Sequence, residues 1–211
     1  MASFLIHIVI ADRVNKYLKM NDKQLFLGTV APDLAKEIGI KKKDSHFITQ
    51  DNSDTPNIYL FHKKYGKTLD NPYNMGYFIH LLVDKKWYTE FTPNYYWDQY
   101  ENQIKTKNGI ITVSDEKETE LVYNDYSALN HYLLDHYNPD LEIVYDQFEL
   151  PKTNITEIYS SKISLLIDKM GMLLRDASST ELKLFDASKV DEFINESADE
   201  IIYLLEHMKD A

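Results

Sequence analysis

An apolar stretch near the start of the chain limits the fold more than any other feature. Residues 4–11 are all apolar except His7, and a helix that is apolar on every side is normally buried inside a larger core. Ser3 precedes the stretch as a favourable N-cap, so we predict a buried helix from there to about Leu18. The rest of the chain must cover this helix, and His7 lies within its apolar wall.

The remaining sequence predicts further helices and one short β-structure. Asn108-Gly109 is a strong signal for a type I′ turn, and its β-branched flanks predict a hairpin at about 104–113. Apolar periodicity and capping residues predict further helices at about 75–91, 114–136, 155–174 and 187–208. We therefore expect an all-α fold with a small β-hairpin insertion, formed by a single multi-helix domain that covers residues 1–211.

The overall charge bears on the class of partner. The chain has 23 basic and 34 acidic residues, a formal net charge of -11, which argues against strong binding to nucleic acid or to an anionic membrane. A substrate that bears phosphate would then need a local positive centre, which divalent ions can supply. The chain has no cysteine, so any metal ion must be held by His, Asp, Glu, backbone or water.

Targeting and membrane signals are lacking in the sequence. No apolar run approaches the ~18 residues of a transmembrane helix. A signal peptide would carry a basic residue before its apolar stretch and a small-x-small cleavage site after it, and the opening stretch has neither. We therefore expect a cytoplasmic protein.

His80 and Asp84 give the sharpest local indication of a metal site. They stand four residues apart in a predicted helix, so both lie on one face and can converge on one ion. The carboxylate of Asp84 can also bridge two ions. The alternative is an ordinary buried polar pair.

Three more side chains are candidate ligands, each with an alternative interpretation. His7 is either a ligand or a core histidine with a backbone partner, and His46, in a polar loop at 41–56, leaves the same choice. Asp33 follows a turn that Gly28 and Pro32 break, and it is either a site residue or the cap of a short helix at 34–36. The order of the five candidates along the chain favours a common site.

Four sequence blocks carry that order: residues 6–14 (IHIVIADRV), 26–33 (FLGTVAPD), 44–47 (DSHF) and 76–84 (GYFIHLLVD). Together they resemble the bacterial zinc-dependent phospholipase C family, within the superfamily that also includes the P1-type nucleases. The resemblance implies an all-α fold of the phospholipase C/P1 nuclease type with a polar cleft. It assigns metal-ligand roles to His7, His46, His80 and Asp84, with Asp84 as the bridge. It makes Asp33 the catalytic base or an added ligand.

The sequence departs from that family at three places. The family begins with a tryptophan whose amino and carbonyl groups complete a metal shell, whereas this chain starts Met1-Ala2-Ser3. The family's further histidine, ten residues after the helical one, is replaced by Glu90, a harder ligand that tolerates manganese or magnesium better than histidine does. The nearest analogue of the family's second helical pair is His131 with Asp135, so a third ion depends on that pair. Two zinc ions are the more economical expectation.

The resemblance implies a metal-dependent phosphoesterase in which a metal-activated water hydrolyses a phosphodiester or phosphomonoester. Its partner would be a phosphoester-containing small molecule or a lipid head group. The HD-type phosphohydrolases are also helical and metal-dependent, but they need an adjacent His-Asp pair, which this sequence lacks. The alternative that stays open is a non-catalytic helical binding or structural protein that retains a partial metal site.

Overall fold

The computed structural model describes residues 2–20, 22–50, 53–95, 97–98 and 102–208, and within them the chain is mostly helical, as predicted. The α-helices are α1 (Phe4–Leu18), α2 (Lys23–Val30), α3 (Leu34–Glu37), α4 (Lys42–Ser45), α5 (Ile58–Tyr65), α6 (Pro72–Lys86), α7 (Asp115–Tyr137), α8 (Glu142–Tyr145), α9 (Ile163–Arg175) and α10 (Ala187–Met208). None of these helices is both long enough and apolar enough to cross a bilayer.

The helix at the start of the chain is the centre of the core. α1 has the predicted bounds, and every residue from Phe4 to Ala11 is buried. α10 packs along it, and α2, α6 and α7 contact it from other sides. His7 therefore lies within the core, as the sequence predicts.

The predicted hairpin is present but belongs to a three-stranded antiparallel sheet, with the order β1 (Trp97–Asp98), β2 (Gln103–Thr106) and β3 (Gly109–Thr112). Its turn is not of type I′, because Thr106 pairs with Gly109 and only Gly109 has a positive φ there, 115°. The hydroxyl of Thr106 accepts the backbone N–H of Asn108 and donates to the carbonyl of Gly109. This side chain stabilises a turn that needs no left-handed asparagine.

Two predicted helix boundaries are wrong. The helix predicted at 155–174 begins only at Ile163. The segment before it is held in an irregular path because Tyr65 binds both Thr156 and Glu157 through its hydroxyl. The helix predicted at 75–91 begins earlier, at Pro72, and changes at Trp87 into a wider π-helical turn that ends at Phe91.

Two glycines set the close contact between α2 and α6. A Cβ atom on Gly28 would lie 2.0 Å from the carbonyl oxygen of Tyr73, and one on Gly76 would lie 2.0 Å from the carbonyl oxygen of Leu25. Only glycine permits such an approach between backbones. The contact brings the end of α2 beside the middle of α6, where the histidine and aspartate of the predicted site stand.

The carboxylate of Asp125 on α7 fixes the segment before α10. It is buried and accepts the backbone N–H groups of Lys183, Leu184 and Phe185 at 2.5, 2.9 and 2.7 Å. Three such bonds satisfy a buried charge and hold a segment that has no regular structure of its own. α10 is thereby positioned against α1.

Candidate metal centre

Four separate segments bring the five predicted residues together. The five are His7 on α1, Asp33 at the end of the 3-10 turn Ala31–Asp33, His46 directly after α4, and His80 and Asp84 on α6. The three histidines and Asp84 are almost completely buried, at 0 or 1% exposure, and the side chain of Asp33 is 12% exposed. Asp33 is therefore the member through which solvent reaches the cluster.

The two oxygens of Asp84 face different histidines. Oδ1 lies 3.4 Å from Nε2 of His7, and Oδ2 lies 3.5 Å from Nε2 of His46 and 3.7 Å from Nε2 of His80. Asp33, at the end of the turn after α2, faces two of the same histidines. Its Oδ1 lies 3.5 Å from Nε2 of His46 and 3.9 Å from Nε2 of His80. Asp84 thus has the geometry of a bridging carboxylate.

Groups outside the cluster fix the orientation of two histidine rings. Nδ1 of His80 lies 2.8 Å from the carbonyl oxygen of Thr29 and must donate to it, which leaves Nε2 without a proton in the neutral ring. Nδ1 of His46 lies 2.7 Å from Oγ of Ser45, which also lies 3.2 Å from the carbonyl oxygen of Lys42, so Ser45 can accept from Nδ1 while it donates to that carbonyl. With a metal ion at Nε2, each ring would carry its proton on Nδ1, where these groups can accept it, and direct its Nε2 lone pair at the ion.

Further contacts hold the backbone near these rings. The hydroxyl of Tyr77 donates to the carbonyl oxygen of Ser45, so α6 fixes the end of α4 just before His46. Phe47, the next residue, has a φ of 56°, which is rare for an aromatic residue and is tolerated only where its surroundings fix the backbone. The ring of His80 also stacks on His7, with centroids 3.9 Å apart. These contacts preorganise the cluster.

Several polar atoms of the cluster are buried without a hydrogen-bond partner among the described residues: Nδ1 and Nε2 of His7, Oδ1 of Asp33 and Oδ2 of Asp84. Buried polar atoms normally have partners, because leaving one unpaired costs about 1–3 kcal/mol. Three imidazole nitrogens and two carboxylates are a donor set that suits a divalent cation. The unpaired atoms therefore fit metal binding, and the cluster could hold a metal ion.

Two triads share His80. His7, His80 and Asp84 form one, and Asp33, His46 and His80 form the other, with ligand atoms within 4.8 Å of one another in each. Asp84 belongs to the first triad and also contacts the second, since its Oδ1 faces His7 and its Oδ2 faces His46. The arrangement can accommodate two neighbouring ions as well as one.

The surroundings shift the pKa of the acid and base groups in directions that favour metal binding. Burial, followed by the proximity of His7, lowers the pKa of His80 to about 3, so its ring is neutral at pH 7. Burial raises the pKa of Asp33 and Asp84, but the neighbouring histidines lower it by more. Both carboxyl groups are therefore ionised at pH 7.

The sequence left Glu90, His131 and Asp135 open as further ligands, and the structure places all three elsewhere. Glu90 is exposed and pairs with Lys86 at 2.9 Å. His131 and Asp135 pair with each other at 3.3 Å on α7, beside a different cavity. Within the described residues, none of the three belongs to the five-residue cluster.

Three groups around the cluster were not anticipated from the sequence. They are the carbonyl of Thr29, the hydroxyl of Ser45 and the backbone N–H of Ala2, which donates to Oδ1 of Asp84 at 3.4 Å. Only Ser45 had a signal in the sequence, since a hydroxyl adjacent to a candidate ligand can orient it. Backbone groups carry no such signal.

No family model matches the chain, and neither does any curated protein or solved structure. The chemistry of the cluster therefore rests on its own geometry.

Proposed function

We propose that this protein is a metal-dependent phosphoesterase of the phospholipase C/P1 nuclease type, with two zinc ions at the five-residue cluster. One observation carries the proposal: Asp84 is buried with its two oxygens facing different histidines, at 3.4 and 3.5 Å. A carboxylate in that position is suited to bridging a pair of ions. Paired divalent ions are typical of enzymes that hydrolyse phosphoesters.

The ligands divide between the two ions by proximity. His7 and Oδ1 of Asp84 would hold one ion, and Asp33, His46 and Oδ2 of Asp84 would hold the other. Nε2 of His80 faces both groups. Imidazole nitrogen with carboxylate oxygen suits zinc, while the two carboxylates also leave manganese or magnesium as alternatives.

Asp33 is the residue best placed to move a proton. When bound, two metal ions would lower the pKa of a nearby water and neutralise charge on the phosphoryl oxygens. Asp33 is ionised, and it also lines a cavity open to solvent. Its carboxylate can therefore orient an incoming water and accept a proton from it.

The role of the buried histidines in this proposal is to hold the metal ions in fixed positions. The Thr29 carbonyl and the Ser45 hydroxyl keep Nε2 of His80 and of His46 directed inward. Loss of such a contact to a ligand typically lowers metal affinity 10–100-fold. With a chain charge of -11, local positive charge from the ions would be needed to attract a phosphoester. The partner would be a small phosphoester or a lipid head group.

The test measures metal content and turnover in the same preparations. Elemental analysis of purified protein is expected to give two zinc ions per chain, and nitrophenyl phosphomonoesters and diesters are expected to be hydrolysed with zinc or manganese present. His80→Ala should abolish both. His207→Ala, an exposed histidine on α10, should change neither.

Two outcomes decide against the proposal. Normal hydrolysis by His80→Ala with metal supplied would exclude the cluster as the catalytic site. Bound metal without hydrolysis of any ester would instead favour the alternative function, a helical binding or structural protein that retains a metal site.

A further inference from the structure

A cavity of about 550 Å³ lies beside Asp33, between α7, α9 and the start of α1. Its volume is typical of a site for a small organic ligand. Most of its wall is apolar, formed by Phe4, Val122, Tyr126, Leu166, Met170 and Leu173. The apolar wall and the carboxylate of Asp33 therefore belong to one cavity.

The mouth of this cavity exposes apolar side chains to solvent. Tyr123 on α7 is 67% exposed and Leu173 on α9 is 41% exposed, and both line the cavity. Lys169, another residue of the wall, is neutralised by Glu37 at 2.6 Å. Apolar surface that continues from an open mouth into a cavity is typical of a ligand site.

The inner part of the cavity carries an unused hydrogen-bond donor. Asn130 is only 5% exposed, and its Oδ1 accepts the hydroxyl of Ser3 at 3.0 Å, which fixes the orientation of the amide. Within the described part of the chain, Nδ2 of Asn130 has no hydrogen-bond partner, and the residue lines the cavity together with Asp33. Nδ2 is not among the fully buried unpaired atoms, so it is open to the cavity, where a ligand oxygen or water can accept from it.

We propose that this cavity selects phosphoesters of a compact apolar alcohol. In this arrangement the phosphoryl group lies at the Asp33 end, Asn130 donates to one of its oxygens, and the apolar arm lies between α7 and α9. The placement of the phosphoryl group rests on the proposed function, whereas the apolar arm and the Asn130 contact follow from the cavity itself. Sugar phosphates are disfavoured, because most of the wall surface is apolar and two of its charged side chains, Lys169 and Glu37, pair with each other.

The test compares two non-hydrolysable probes, octylphosphonate below its micelle concentration and methylphosphonate, by calorimetry with zinc-loaded protein. Octylphosphonate is expected to bind about 50-fold more tightly, the factor given by roughly three buried methylene groups. Leu173→Ser should lower the affinity for octylphosphonate about tenfold and leave the affinity for methylphosphonate unchanged. Leu165→Ser is the matched control, since Leu165 is 47% exposed on the same helix and outside the cavity wall.

Asn130→Asp tests the polar contact. The substitution is nearly isosteric and keeps an acceptor for Ser3 but replaces the amide donor by a charge, so both phosphonates should bind at least about tenfold more weakly. Unchanged affinity would overturn the role of Asn130. Equal affinity for the two phosphonates, or no binding of either, would overturn the apolar selectivity.

The outcome for the proposed function is separate. Methyl and octyl esters of 4-nitrophenyl phosphate should both be hydrolysed, the octyl ester with the higher kcat/KM. If neither is hydrolysed but octylphosphonate still binds preferentially, the phosphoesterase proposal fails and the ligand site stands. If both are hydrolysed at equal kcat/KM and the two phosphonates bind equally, the phosphoesterase stands and the selectivity fails.

Discussion

The Nε2 atoms of His46 and His80 lie 3.2 Å apart at the centre of the cluster. Nδ1 of His80 donates to the carbonyl of Thr29, so Nε2 of His80 faces His46 as a lone pair. His46 can donate a proton from Nε2 to this lone pair while its Nδ1 accepts the Ser45 hydroxyl, or it can carry the proton on Nδ1 and offer a second lone pair to a cation. A cation at both nitrogens requires the second form and the folded arrangement of the two rings, which links metal binding directly to stability.

Metal removal is therefore expected to destabilise the fold. At zinc concentrations 100-fold above the Kd, binding to the native state adds about 2.7 kcal/mol to the free energy of unfolding. For a chain of this size that corresponds to a rise in Tm of roughly 5–10 °C over chelator-treated protein. Differential scanning calorimetry measures the shift, which Asp84→Asn should remove and His207→Ala should retain. Identical melting with zinc and with chelator would contradict the expectation.

The metal-free protein should lose stability as the pH falls below about 6.5. The unfolded chain protonates His80 near pH 6.5, whereas the folded protein protonates it only near its pKa of about 3. Between these values the unfolded state holds more protons, so this residue lowers the free energy of unfolding by up to about 1.4 kcal/mol per pH unit. Below pH 3.8 the depressed pKa values of Asp33 and Asp84 add a loss of the same sign.

Urea unfolding of chelator-treated protein at pH 7, 6 and 5 measures this slope. His80→Gln should reduce it, while substitution of the exposed His207 by glutamine should leave the His80 contribution in place. Stability that stays constant or rises on acidification would show that the His80 ring is not held neutral.

Ser45→Ala should weaken metal binding without unfolding the protein. The substitution removes the hydroxyl that bonds Nδ1 of His46, so the ring loses its preferred orientation, and a 10–100-fold loss of zinc affinity is expected. Ser197→Ala is a matched control, because Ser197 is also fully buried but has no hydrogen-bond partner among the described residues. Competition with a fluorescent zinc chelator measures the zinc affinity of both variants. Equal affinity in the two variants would count against the role of Ser45.

Gly76→Ala should destabilise the protein by about 3 kcal/mol or more, because the new methyl group would meet the backbone of Leu25 at 2.0 Å. It should also weaken zinc binding, since separation of α2 from α6 moves the Thr29 carbonyl away from His80. Gly171→Ala is the control: the nearest atom to its added Cβ is 3.6 Å away, and alanine favours a helix by up to about 1 kcal/mol. In chemical denaturation, the free energy of unfolding should therefore fall for Gly76→Ala and rise for Gly171→Ala.

Asp125→Asn should cost about 2–4 kcal/mol, because the amide nitrogen cannot accept a hydrogen bond and would face at least one of the three backbone N–H groups. Asp168→Asn on the exposed face of α9 should change the unfolding free energy by less than about 0.5 kcal/mol. Hydrogen exchange at residues 183–185 provides a local readout. Unchanged protection of these amides in the Asp125→Asn variant would show that the carboxylate is dispensable.

The sequence predicted those parts of the fold that depend on local pattern. The apolar density of α1 and the capping and periodicity of α10 gave their bounds to within a residue. The start of α9 could not be predicted, because the residues before it are held by Tyr65, which is about ninety positions away in the chain. Strand β1 was not predicted, because a strand of two residues has no periodicity to detect.

At the site, the five candidate ligand side chains could be predicted from the sequence, but the groups that hold them in position could not. The spacing of His80 and Asp84 on a helix, with His7, Asp33 and His46 in family-like order, was enough to nominate the cluster. Whether Asp33 capped a helix or faced a site was ambiguous; in the structure it makes no side-chain cap bond and its Oδ1 points at two histidines. Asn130 lies too far along the chain for any local pattern to connect it to Asp33.

The cluster draws on α1, the turn before α3, the residue after α4, and α6, in a chain that has no cysteine. An ion held there would tie four distant points of the polypeptide into closed loops, as a set of disulfides does, and would restrict the unfolded chain. It would do so reversibly, since protons or a chelator release it. In polymer terms, an occupied centre would be a removable cross-link, and the availability of metal would control how tightly the first half of the chain is closed.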